Sequence, residues 1–200
     1  SIWIVSSLLG GPLPASRGDL LKHLLLLSVL VLTNCSLSAN EPAKPAAMID
    51  QFLILVHPCP YEAMGAAETD PYRVLERAAC ERWLDAIPSL PKSTFAVQFD
   101  WAKAGPSPEK LQQALVGRLG AGHVLRIPVG YGSPEDPGPL RDYYGRTKQQ
   151  ILQQMAAQRL TFDPATCKTV IWGQSFEGCA SGYGSAVASY LGLKTLTQFD

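Results

Sequence analysis

Short apolar runs alternate with helix-length stretches in the pattern of hydrophobic and polar positions from residue 50 onward. The runs are continuous and bounded by turn-forming residues, which is typical of strands that are buried on both faces of a parallel sheet. We therefore predict five strands, at residues 51–56, 94–100, 124–129, 168–172 and 194–199.

Between these runs, apolar residues recur every three or four positions, which predicts helices. Asp70-Pro71 supplies an N-cap followed by proline at the first helical position, and Gly120 and Gly192 follow the last periodic residues of two other stretches. The loop at 130–140 is rich in glycine and proline and long enough to cover a site. The predicted helices cover residues 71–87, 107–119, 147–160 and 178–191.

Strands that alternate with helices predict parallel pairing through right-handed crossovers. The expected fold class is α/β: a three-layer α/β/α sandwich with a mainly parallel, doubly wound sheet. Ligands bind beyond the carboxyl ends of the strands in such sheets, so the polar residues found there are candidates for chemistry. They include His57 after the first strand, Asp100 at the end of the second, and Arg141 after the loop that follows the third.

Residues 1–40 differ in character from the rest of the chain. Basic residues precede the apolar run at 24–32, and small residues follow it, which is the layout of a secretory signal peptide. The run is shorter than the ~20 residues that a bilayer core requires, so we expect no membrane span after signal cleavage. The sequence predicts a signal peptide, a linker at 41–49 and one domain at 50–200.

A signal peptide implies a secreted or periplasmic protein. Lipoprotein anchoring through Cys35 fits less well, because Asn34 stands where a small residue is expected. The chain stops at Asp200, directly after the predicted fifth strand, and we therefore expect the sheet to be C-terminally incomplete.

Composition excludes other classes of protein. Seventeen basic residues balance seventeen acidic ones and form no basic run, so the electrostatic footprint of a nucleic-acid binder is missing. The cysteines outside the signal peptide do not have the spacing of a zinc site. We predict no metal and no cofactor, and a small molecule as substrate; the sequence leaves homo-oligomerisation open.

The segment after the fourth strand carries the strongest candidate nucleophile. It reads Gly173-Gln-Ser-Phe-Glu-Gly178-Cys179 and leads from a strand into a helix. Glycines allow a tight turn, and N–H groups at a helix start stabilise a thiolate over a thiol. We predict Cys179 as nucleophile, with N–H groups around Gly178 and Cys179 holding an oxyanion.

These features together resemble the isochorismatase-like cysteine hydrolases, which include nicotinamidases and related amidases. The spacing from Gly173 to Cys179, the aromatic-x-x-Thr sequence Tyr144 to Thr147, and Asp100-Trp101 at the end of the second strand are similar to motifs of that family. The resemblance covers residues 50–200. It implies a cysteine hydrolase that acts on an amide, another C–N bond or an ester of a small molecule.

The sequence departs from the family in its other catalytic positions. His57 stands where members carry an aspartate base, Arg141 lies near the position of their lysine, and Ala102 replaces a metal-binding histidine. An imidazole with a pKa near ~6.5 can accept a thiol proton, so we predict that His57, oriented by Asp100, moves the proton, or that Asp100 does so itself, with Arg141 in the cationic role.

Two alternatives stay open. The sequence from Gly173 to Gly178 nearly matches the Gly-x-Ser-x-Gly elbow, which would make Ser175 the nucleophile of an α/β-hydrolase-type serine esterase. All three histidines precede Ser175, whereas that fold places its histidine after the serine. The other alternative is a non-catalytic exported α/β binding module, which a disulfide from Cys179 to Cys59 or Cys167 would favour.

Overall fold

Five parallel strands form the main sheet of the protein. The computed structural model describes residues 45–101, 105–129, 140–173, 180 and 182–198. In chain order the elements are β1 (Ala47–Ile49), β2 (Gln51–Val56), α1 (Pro60–Ala63), α2 (Pro71–Ala86), β3 (Thr94–Trp101), α3 (Pro106–Leu119), β4 (Val124–Val129), α4 (Leu140–Ala157), β5 (Leu160–Phe162), β6 (Lys168–Gly173), α5 (Ser185–Leu191) and β7 (Thr195–Gln198).

The sheet has the strand order β4-β3-β2-β6-β7, and every described pair is parallel. Strand β2 lies at the centre and consists almost entirely of buried apolar residues, as the sequence predicts for a strand covered on both faces. A separate pair of short strands, β1 and β5, is also parallel.

Helices cover both faces of the sheet. One core lies between the sheet and α2 and α3, and the other between the sheet and α4 and α5. Alternate residues of β2 contribute to the two cores: Phe52, Ile54 and Val56 to the α4 side, and Leu53 and Leu55 to the α2 side. The structure therefore confirms the three-layer α/β/α class and its parallel sheet.

Two boundaries differ from the sequence prediction. Helix α4 begins at Leu140 rather than at residue 147, because Tyr143 and Tyr144 already pack against the core. It ends at Ala157 rather than at 160, because Arg159 adopts a left-handed conformation and the chain then enters β5.

Two further segments differ. Residues 47–49, which the sequence places in the linker, form β1 and pair with β5. Of the predicted helix at 178–191, residues 185–191 are α-helical, and Ala180 and residues 182–184 form π-helical turns before them. Within the residues described, no helix is both long enough and apolar enough to cross a membrane.

Candidate functional site

The chain order creates a crevice at one place along the carboxyl edge of the sheet. From β2 the chain moves to β3 and β4 on one side, and later returns to β6 and β7 on the other. Such a topological switch point is where ligands bind in open α/β sheets. At this point Val56 is the register partner of both Phe99 in β3 and Gly173 in β6.

His57 is the first residue beyond β2 and lies at this switch point. Its backbone is left-handed, with φ of 48°, and its N–H donates to the carbonyl of Phe99 at 2.8 Å. The side chain is 2% exposed, and its imidazole packs against the ring of Tyr183, with centroids 5.5 Å apart. A left-handed non-glycine residue at a strand end is the kind of strained backbone that collects at functional sites.

Burial lowers the pKa of His57 from 6.5 to about 4. This corrects the value near 6.5 that the sequence suggests for the imidazole. His57 is therefore neutral around neutral pH and able to accept a proton, but an imidazolium at this position needs a compensating negative charge.

Gly173 ends β6 in a position that has no room for a side chain. A Cβ there would lie 2.9 Å from the Val56 carbonyl oxygen and 2.9 Å from the Cβ of Ala180. The glycine thus allows the end of β2, the end of β6 and the start of the following helical turns to approach closely. This is the physical reason for glycine at the position that the sequence motif singles out.

Asp100 lies on the other face of the sheet from the His57 imidazole. It follows Phe99, whose ring contacts Tyr183 on the α4 side, and the Asp100 carboxylate therefore points toward α3. There it forms an ion pair with Arg126 and accepts from Gln98 Nε2 at 2.9 Å. The structure thus does not bring the Asp100 carboxylate to His57, and the predicted orienting role is not supported by its position.

The Asp100 network ties β3, β4 and α3 together. Gln98 Nε2 also donates to the carbonyl of Pro108 in α3 at 3.0 Å, and Arg126 reaches Glu109 at 2.5 Å. Burial raises the pKa of Asp100, although hydrogen bonds from Gln98 and Arg126 oppose this. For Arg126, burial would lower the pKa, but hydrogen bonds to Glu109 and Asp100 outweigh it and the pKa is raised.

The Asp100 carboxylate is the buried member of this ion pair, and the Arg126 guanidinium is partly exposed. We regard the pair as ionised at neutral pH, because a guanidinium keeps its proton and the carboxylate has donors from both Arg126 and Gln98. The sequence offered one signal for this network: Gln98 and Asp100 alternate with apolar residues along β3 and so share a face.

An aromatic cluster covers the α4 side of the crevice. Tyr183 stands at its centre, with ring centroids 5.6 Å from Phe99, 5.4 Å from Tyr143 and 5.2 Å from Tyr144. Burial raises the pKa of the Tyr143 phenol. The sequence alone does not indicate this cluster, because its members come from β3, α4 and the turns before α5.

A disulfide joins Cys59, just after β2, to Cys80 in α2. Cys59 is therefore not available for a bond to Cys179. Cys167 carries a free thiol that is buried, and burial raises its pKa to about 11, so it is a packing residue rather than a nucleophile.

Several predicted site residues lie outside the described residues. Cys179, Gly178 and Ser175 are among them, and of Arg141 only the backbone, in the first turn of α4, is described. Among the described residues, no group of three or more histidine, cysteine, aspartate or glutamate side chains could hold a metal ion.

Comparisons with models of protein families, with curated proteins and with solved structures find no match to this chain.

Proposed function

We propose that the protein is an exported hydrolase that uses Cys179 to attack an amide, another C–N bond or an ester of a small molecule. The observation that carries this proposal is the switch point between β2 and β6. It places His57 at the same sheet edge as Gly173, from which the candidate nucleophile segment continues.

Local packing supports this location. Ala180, the residue after Cys179 in sequence, packs against Gly173 and so lies beside the end of β2. The Cβ of a residue at 184 would meet Ile171 Cγ2 at 2.7 Å, so Gly184 lets the same helical turns approach β6. A short link between a strand end and a helix start is the setting in which backbone N–H groups stabilise an anion.

The proposed reaction uses His57 as proton carrier. The Cys179 sulfur bonds to the carbonyl carbon while its proton passes to the neutral imidazole, and N–H groups around Gly178 and Cys179 hold the oxyanion. The C–N or C–O bond then breaks, and the imidazolium returns the proton to the leaving group. Water hydrolyses the thioester and regenerates the thiol. Because the pKa of His57 is about 4, we expect proton transfer to accompany attack rather than precede it.

Export is part of the same proposal. It is supported by the signal-like sequence at 24–32 and by the Cys59–Cys80 disulfide, since disulfides persist in oxidising compartments.

Hydrolysis of a p-nitrophenyl ester and of small primary amides by the whole chain tests this function. We expect Cys179→Ser to lower the rate by at least ~100-fold and Ser175→Ala to retain it. Loss of activity in Ser175→Ala alone would replace the proposal with the serine esterase. Inactivity of the wild-type chain toward every ester and amide would favour the binding module.

A further inference from the structure

The turn that leaves β2 contains two left-handed residues that are not glycine. His57 has φ of 48° and Cys59 has φ of 61°. Side chains with a Cβ rarely adopt this region, and they remain there only where the surrounding structure holds them. The turn at residues 57–59 therefore needs contacts that keep it in place.

Helix α2 supplies two such contacts from one face. Glu76 accepts the N–H of Tyr61 at 2.8 Å and the N–H of Glu62 at 2.9 Å, directly after the turn. Cys80 is bonded to Cys59 within the turn. Residues four apart on a helix lie on the same face, so Glu76 and Cys80 hold adjacent parts of one short segment.

Glu76 has an unusual environment for a surface helix. Its side chain is 2% exposed, and burial raises its pKa, although the N–H groups of Tyr61 and Glu62 oppose that effect. A buried carboxylate is unfavourable unless hydrogen-bond donors satisfy it, and two backbone donors come from the segment that follows the turn.

The same segment is tied to α3. The Glu62 carboxylate accepts from the Ser107 N–H at 2.9 Å and from the Ser107 hydroxyl at 2.5 Å. It occupies the space above Gly105, where a Cβ would clash with it. Glu62 thus takes the place of a side-chain N-cap for α3, and the turn is held from two helices.

We propose that Glu76 and Cys80 are positioning residues that clamp the turn at 57–59 and thereby fix the imidazole of His57 against Tyr183 at the sheet edge. The inference rests on the proposed function only for its effect on catalysis. The position and protonation of His57 are measured without substrate, so failure of one proposal is distinguishable from failure of the other.

The first test is Glu76→Gln, with Glu68→Gln as matched control. Glu68 precedes α2 and forms ion pairs with Arg73 and Arg77 of that helix, but its side chain is 66% exposed and does not bond to the turn. An amide at 76 can accept only through its oxygen, so one of the two N–H groups loses its acceptor. The NMR readouts are the pKa of His57 and the nuclear Overhauser effect between the His57 and Tyr183 rings.

Among the described residues, the titratable and charged groups around the turn include Tyr183, which packs on the imidazole, Glu62 and Glu76, which accept from backbone N–H groups, and Arg73, whose charge acts on Glu76. Neither substitution removes Tyr183. We expect Glu76→Gln to raise the pKa of His57 by about one pH unit through partial hydration and to weaken the ring contact. The control should change neither readout. A folded Glu76→Gln variant with both wild-type readouts would overturn the proposal.

If Glu76→Gln does not fold, reduction of the disulfide in the wild-type protein provides a second test of the proposal. The buried Cys59–Cys80 disulfide borders a cavity of about 290 Å³, and a dithiol reductant added to the folded protein tests its role. The dithiol transfers two electrons and two protons, so that it becomes a cyclic disulfide and both cysteines become thiols. Reduction should raise the pKa of His57, as Glu76→Gln should. Complete reduction of folded protein without any change in His57 would overturn the role of Cys80.

Discussion

The ring of Tyr183 packs on the imidazole of His57, with centroids 5.5 Å apart and an interplanar angle of 55°. His57 follows β2, and Tyr183 lies in the helical turns that follow β6, so this contact joins the two sides of the switch point. Phe99 and Tyr143 also contact Tyr183, with ring centroids 5.6 Å and 5.4 Å from that of Tyr183. The burial that keeps His57 neutral thus includes the aromatic cluster.

Removal of the Tyr183 ring should hydrate the imidazole. We expect Tyr183→Ala to raise the pKa of His57 from about 4 toward 6.5, because water then stabilises the charged form. Tyr183→Phe keeps the ring and serves as the control, with a pKa close to wild type. NMR titration of the His57 ring measures both. Equal pKa values in the alanine variant and the wild type would show that other groups bury the imidazole.

The low pKa of His57 also predicts a pH dependence of stability. The folded-state pKa of about 4 lies below the ordinary 6.5, so the unfolded chain binds a proton first as the pH falls. Stability from this residue is full above the unfolded pKa and is lost between about pH 6.5 and about pH 4. Between about pH 7 and about pH 5, the loss is roughly 2 kcal/mol.

His57→Gln removes this titration and tests it. In urea unfolding, the free energy of unfolding of the variant should fall by roughly 2 kcal/mol less than that of the wild type between about pH 7 and about pH 5. Asp100 and Glu76 have raised pKa values and act in the opposite direction in both proteins, so the difference between them isolates His57. If the free energies of unfolding of the two proteins change equally over this pH range, His57 does not have a lowered pKa in the folded protein.

Asp100 is expected to contribute to stability rather than to the chemistry of His57. Asp100→Asn removes the charge that pairs with Arg126, and we expect the free energy of unfolding to fall by about 1–3 kcal/mol. The pKa of His57 should stay near its wild-type value, because the two side chains lie on opposite faces of the sheet. A clear change in that pKa would restore the orienting role that the sequence suggested.

Gly173 should not tolerate a side chain. Gly173→Ala places a Cβ against the Val56 carbonyl and Ala180, and overpacking of this kind costs about 1–3 kcal/mol. The matched control is Gly117→Ala within α3, where nothing lies within 4 Å of the added Cβ and alanine should stabilise the helix by up to about 1 kcal/mol. Denaturant unfolding compares them. A neutral effect at Gly173 would mean that β2 and β6 separate more easily than their packing indicates.

The sequence predicted most of the fold because its signals were local. Continuous apolar runs marked β2, β3 and β4, and proline, aspartate and glycine marked the ends of α2 and α3. The short strand β5 was missed because three residues carry too little periodicity to distinguish a strand. The start of α4 was missed because Gly145 and the polar residues around it resemble a loop.

The site was predicted less completely because its interactions are not local. The carboxyl-edge rule selected His57, but the left-handed backbone, the burial and the contact with Tyr183 depend on packing between distant segments. Four cysteines permit three complete pairing schemes, so no sequence argument selected Cys59 with Cys80. Asp100 pairs with Arg126 from the neighbouring strand, which the order of residues alone does not reveal.

The central claim is that Cys179 is an activated nucleophile at the switch point beside His57. The most direct measurement is the rate of Cys179 alkylation by iodoacetamide as a function of pH, read from the modified peptide by mass spectrometry. We expect Cys179 to alkylate faster at neutral pH than an ordinary cysteine of pKa ~8.5 does, and more slowly in His57→Gln, because the neutral imidazole accepts the thiol proton as the sulfur attacks. Alkylation no faster than that of an ordinary thiol, with the same pH profile in both proteins, would contradict it.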